Sequence, residues 1–121
     1  MIKIKGIKID QFTQGFLECL LWSSTDQKDR PFDDNFSIND IEKKTLERLA
    51  ADCERFQSEN SGDLATERIT RAGHDFWLTR NGHGAGFWDG GYEKEKGERL
   101  TAASKKFKPL DPYSHKGRVY V

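Results

Sequence analysis

The chain has 121 residues, 20 basic and 20 acidic side chains and a formal net charge of zero, which excludes both an overall basic nucleic-acid binder and an acidic nucleic-acid mimic. Its hydrophobic share is 35% and its charged share 33%, against the usual ~45–50% and ~25%, yet eight Phe and three Trp exclude disorder. A length of this order reads as one domain, residues 1–121, and no apolar run approaches the ~20 residues of a membrane span.

Met1–Ile9 alternates Ile with Lys, and Gly6 interrupts the phase; this predicts a short strand bulged at Gly6, its lysines toward water. It lacks the continuous apolar core of a secretory leader, so the expected setting is the cytoplasm. Asp10 can cap a helix over Gln11–Ser23. Phe12, Phe16, Leu17, Leu20 and Leu21 form its apolar side, with Cys19 and Trp22 at the margins. Ser24–Phe36 is a polar loop whose acidic residues do not match EF-hand spacing; Pro31-Phe32 should pin it to the body. Ser37–Asp40 fits a capping box, opening a second helix that ends near Ser58–Gly62. Cys19 and Cys53 form no metal or redox pattern and read as buried, reduced thiols. Tyr92, Lys96, Leu100, Ala103 and Phe107 predict a third helix over roughly Glu93–Phe107, and Gly117–Val121 a final strand.

Between the second and third helices lies Arg71–Tyr92, RAGHDFWLTRNGHGAGFWDGGY, which holds two of the three Trp. Asn81-Gly82 is the dipeptide a type I′ turn favours, and aromatic-rich runs flank it. The expectation is a central β-hairpin ending at Gly90-Gly91. Alternation then puts Phe76, Leu78 and Phe87 on one face and Trp77 and Trp88 on the other. NGHGAG lacks the G-K-[ST] ending and would join two strands, so it is no phosphate loop; no cofactor is expected. His74, Asp75, His83 and Asp89 form the one His/carboxylate group with potential for metal or acid–base chemistry. No Ser or Cys occupies a nucleophile motif.

The run GHDFWLTRNGHGAGFWD resembles a segment of small proteins of tailed bacteriophages and related mobile elements, over about 20 residues of the chain. The resemblance implies a small accessory protein made inside an infected bacterium, of the kind that redirects a host enzyme or blocks a defence system. It carries no residue roles with it.

The expected fold is α+β: a small, mainly antiparallel sheet of the N-terminal strand, the central hairpin and the C-terminal strand, packed by three helices. The expected function is non-enzymatic binding of a host or phage protein through the hairpin, with Trp77 and Trp88 as anchors and Arg80, Asn81 and His83 as polar rim. One alternative is single-stranded nucleic-acid binding by the same Trp face, with Arg71, Arg80, Lys94 and Lys96 meeting phosphates. The other is a metal-dependent hydrolase or nuclease built on His74, Asp75, His83 and Asp89.

Overall fold

A computed structural model describes residues 1–26, 28–89 and 91–121. The elements run β1 (Ile2–Ile4), β2 (Ile7–Ile9), α1 (Gln11–Ser23), α2 (Lys43–Glu59), the single turn α3 (Ser61–Leu64), α4 (Ile69–Arg80), α5 (Lys94–Ser104), β3 (Tyr113–His115) and β4 (Arg118–Tyr120). The class is α+β, but the strands form two separate antiparallel pairs, β1-β2 and β3-β4, rather than one sheet.

The N-terminal strand is a whole hairpin. Lys5 and Gly6 both take positive φ, 51° and 80°, as a two-residue type I′ turn requires. Ile2 pairs with Ile9 and Ile4 with Ile7, so one face is all isoleucine. Ile4 and Ile9 are buried beneath it, while Lys3 and Lys8 remain exposed. Asp10 then starts α1, accepting from the Thr13 amide at 2.8 Å. The helix buries Phe12, Phe16, Leu17, Leu20 and Leu21, and the loop after it is pinned by buried Phe32. The capping box at Ser37–Asp40 is real but encloses only a single 3-10 turn, Ile38–Asp40. The chain then extends through Ile41, which bridges to Val119, and α2 starts afresh with the Glu42 side chain capping the Thr45 amide.

The central β-hairpin is absent. Ile69–Arg80 is helical, and Asn81-Gly82 ends that helix instead of turning two strands. Gly82 takes φ +70°. The His83 amide donates to the Leu78 carbonyl at 3.0 Å and the Gly82 amide to the Thr79 carbonyl at 3.3 Å. Those two bonds are a Schellman stop, which needs the same left-handed glycine as a type I′ turn. The expected end of the second hairpin strand at Gly90-Gly91 falls partly outside the described residues.

α4 lies against α1 with almost no space between the backbones. A Cβ added at Gly73 would sit 2.0 Å from the Phe12 carbonyl oxygen, and one at Gly15 2.2 Å from that of Thr70. Phe16 meets Phe76 at 5.2 Å and Trp77 edge-on at 5.4 Å. Phe56 of α2 stacks on Phe76 at 4.1 Å, and Phe87 and Phe107 close the cluster. Cys19 and Cys53 are buried, free thiols, and burial pushes Cys19 up to about 12.

Gly73→Ala should therefore cost stability despite alanine's better helix propensity. The propensity gain is about 1 kcal/mol, whereas overpacking against backbone costs about 1–3 kcal/mol or more. Gly62→Ala, where no atom lies within 4 Å, should be neutral or gain up to about 1 kcal/mol. Urea unfolding of the two variants checks the contrast; equal effects would contradict the close crossing.

Candidate binding surface

The expected site residues separate into a buried set and a displayed set. Trp77 is 1% exposed and its indole Nε1–H donates to Ser23 Oγ at 2.7 Å. Burying such a side chain contributes about 3 kcal/mol and its hydrogen bond about 1 kcal/mol, so Trp77 is scaffold. Arg80 is also buried: Nη1 pairs with Asp52 at 2.9 Å, Nε–H donates to the Lys108 carbonyl at 2.7 Å, and the guanidinium lies over Phe76 and Phe107. Asn81 donates to the Trp77 carbonyl at 2.9 Å and accepts from the Leu110 amide. Trp77 and Arg80 are thus turned into the body and Asn81 is half-buried, because a helix, not a strand, sets which side chains point inward.

His83 and Trp88 are exposed, and Trp88 is 56% accessible. They belong to the loop after α4, which is held from beneath. Thr79 Oγ1 accepts from the Phe87 amide at 3.0 Å. Gly86 takes φ +152°, and a Cβ there would strike that same hydroxyl. Phe87 is buried in the core; its carbonyl packs where a Cβ on Gly97 would come within 2.7 Å. The loop therefore shows Trp88 while its neighbour acts as a plug.

Trp22 completes the display. It is 64% exposed, and with Ser23, Leu78, His83, Gly84 and Ala85 it lines an open groove of about 370 Å³. A second groove, about 440 Å³, runs along Trp88, Tyr92, Glu93, Lys94 and Glu98. Trp22 stands at the margin of the α1 apolar stripe, and that marginal position is its signal in the sequence. Pairing it with the segment 71–92 needs the α1–α4 contact, which no local pattern reveals.

Behind the loop sits a polar lock. The Tyr92 hydroxyl donates to Asp75 Oδ2 at 2.6 Å, and Arg71 Nε lies 3.7 Å from the same oxygen. Arg71 also covers the Tyr92 ring at 5.2 Å. Burial raises the Asp75 carboxyl above its usual range; Tyr92 and Arg71 pull it down, while the Asp89 charge adds to the rise. Burial, then the Asp75 carboxylate, holds the Tyr92 phenol well above its ordinary value. Asp75 is thus a loop clamp rather than an exposed acid. His74 is half-buried and His83 lies past the helix end on the Trp22 side. Among the described residues, no three His, Cys, Asp or Glu side chains are gathered for a metal ion, and no helix is long and apolar enough to cross a membrane.

Comparison of the chain with protein families, curated proteins and solved structures returns no match.

The Asp75 clamp predicts a pH signature. A carboxyl raised on folding contributes stability that is fully present below its unfolded value and lost as pH rises through its folded value. Asp75→Asn keeps an acceptor for Tyr92 and removes the buried charge. It should match or exceed the parent in stability at pH 7.5, and the difference should fade toward pH 4. Urea unfolding across that range checks it; a variant less stable at pH 7.5 would show that the Arg71 attraction outweighs burial.

Proposed function

We propose that the chain is a small phage-type accessory protein that binds a host or phage protein without catalysing a reaction, as a host-takeover or anti-defence protein does. The contact surface is the rim formed by Trp22, Leu78, His83 and Ala85, continuing to Trp88. The observation that carries this reading is that two of three tryptophans are more than half exposed beside a loop whose backbone is fixed from below. Large aromatic side chains left in water on a preorganised frame are what protein-binding hot spots are made of. The resemblance of GHDFWLTRNGHGAGFWD to phage proteins supplies the setting.

Charge supports a protein partner over a nucleic acid at this rim. Of the cations that could have met phosphates, Arg80 is committed to Asp52, Arg71 to Asp75 and Lys96 to Glu67, which leaves Lys94, a lining residue of the Trp88 groove. Trp88 is followed in the chain by Asp89, and Glu93 and Glu98 line its groove beside Lys94, so acids outnumber cations there. Phosphates would meet repulsion there.

Trp22→Ala/Trp88→Ala should fold like the parent, since substitutions of exposed side chains usually fall within about 0.5 kcal/mol. A partner captured from a bacterial lysate on the parent protein should then, once purified, bind the double variant at least about 30-fold more weakly, the scale of a lost hot spot. Equal affinity for both proteins by calorimetry would remove this surface from the proposal. Trp77→Phe, which keeps an aromatic ring in the core but gives up the bond to Ser23, should lower stability and leave binding unchanged.

A further inference from the structure

The C-terminal hairpin carries a second surface of different chemistry. Tyr113 pairs with Tyr120, Ser114 with Val119 and His115 with Arg118 across β3 and β4. Strand alternation puts Tyr113, His115, Arg118 and Tyr120 on one face and Ser114 and Val119 on the other. Val119 is fully buried, so the first face is turned outward. The Tyr113 and Tyr120 rings lie nearly parallel, 5.3 Å apart with planes at 10°, and the His115 ring is 6.5 Å from Tyr120. Tyr113 is 53% exposed.

The charges on this hairpin are all positive. Lys116 is exposed in the turn, where it and Gly117 take φ 49° and 78°, and Arg118 is exposed on the outer face. Neither makes an ion pair among the described residues. On the covered side, Glu42 has its carboxylate engaged elsewhere: it caps the Thr45 amide at 2.8 Å while its backbone amide donates to the Val119 carbonyl.

A stacked tyrosine pair with one half-open ring, flanked by unpaired cations, matches what a single-stranded nucleic acid offers. A base has a π-face for Tyr113, and its phosphates have Lys116 and Arg118 within the span of one short hairpin. We propose that the outer face of β3-β4 is a weak, sequence-tolerant binding site for single-stranded nucleic acid. It is separate from the Trp22–Trp88 rim and does not depend on it. A duplex fits poorly, because its interior bases are already stacked on one another.

The test is fluorescence anisotropy of labelled oligothymidylate and oligouridylate with the whole chain, across a salt series. Two phosphate contacts should give a log–log salt slope of about −1.4. Tyr113→Ala should weaken binding about 5- to 100-fold while Tyr113→Phe retains it. Lys116→Gln/Arg118→Gln, changed at exposed positions that leave the fold intact, should flatten the slope toward zero. Trp88→Ala should bind like the parent. The proposal is overturned if the parent shows no salt-sensitive binding, if duplex of the same length binds as well, or if Lys116→Gln/Arg118→Gln binds unchanged. Binding lost in Trp88→Ala would also overturn it, by moving the site to the rim.

Discussion

The aromatic rim depends on the close approach of α1 and α4 at Gly15 and Gly73. Each glycine faces the other helix's carbonyl, Thr70 for Gly15 and Phe12 for Gly73. Helices normally pack 8–10 Å apart, the distance being set by the side chains between them; with hydrogen in place of Cβ at both positions the backbones themselves meet. Gln11 and Phe12 at the start of α1 share a hollow with Ile69 at the start of α4, and Trp22 and Ser23 at its end share one with Leu78 near the end of α4. Both helices therefore run the same way, and their C-terminal ends arrive side by side. That is why Trp22 shares a groove with Leu78 and His83, although some sixty residues separate them in the chain.

The same contact sets the roles of the phenylalanines. Phe12 and Phe16 flank Gly15, Phe76 lies one turn beyond Gly73, and Phe56 stacks on both Phe12 and Phe76. Phe87, arriving from the loop, stacks on Phe56 at 5.8 Å. The loop is thus fixed from two directions, by an aromatic plug in the core and by the Thr79 hydroxyl on its backbone. A loop held this way has little conformational freedom left to lose when a partner docks, and lost freedom is a principal cost of association.

The sequence was legible where core positions are apolar and opaque where they are not. The α1 limits and its Asp10 cap follow from a clean stripe of Phe and Leu, and Glu93–Phe107 was legible as the helix α5, Lys94–Ser104. In α4 the buried positions include Ala72, Gly73, Asp75, Thr79 and Arg80. Helical spacing is present there, but small and polar residues fill it, so the aromatic run Phe76-Trp77 reads as a strand. Asn-Gly then supplied a turn signal that a Schellman stop shares. The true hairpin turns are Lys5-Gly6 and Lys116-Gly117, where lysine carries the left-handed conformation at a steric cost that asparagine would lessen. Of the expected anchors and rim, His83 and Trp88 are displayed, Asn81 is half-buried, and Trp77 and Arg80 are buried. Trp22 needed the helix crossing to be seen at all.

Arg80 and Asn81 nevertheless matter to both surfaces, through connection rather than contact. Arg80 ties the end of α4 to α2 through Asp52 and to the C-terminal segment through the Lys108 carbonyl; Asn81 ties it again at the Leu110 amide. Asp52 keeps a third of its side chain in water, so the pair escapes the full desolvation cost of an enclosed one, and the Phe76 and Phe107 rings supply cation–π attraction to the buried guanidinium. The chain from Lys108 onward leads directly into β3-β4, whose other support is the Ile41 bridge to Val119. One helix end therefore anchors the aromatic rim on one side and the approach to the C-terminal hairpin on the other. Loss of Arg80 would disturb both at once by loosening their common support, so only exposed residues such as Trp88 and Arg118 can separate the two proposed surfaces.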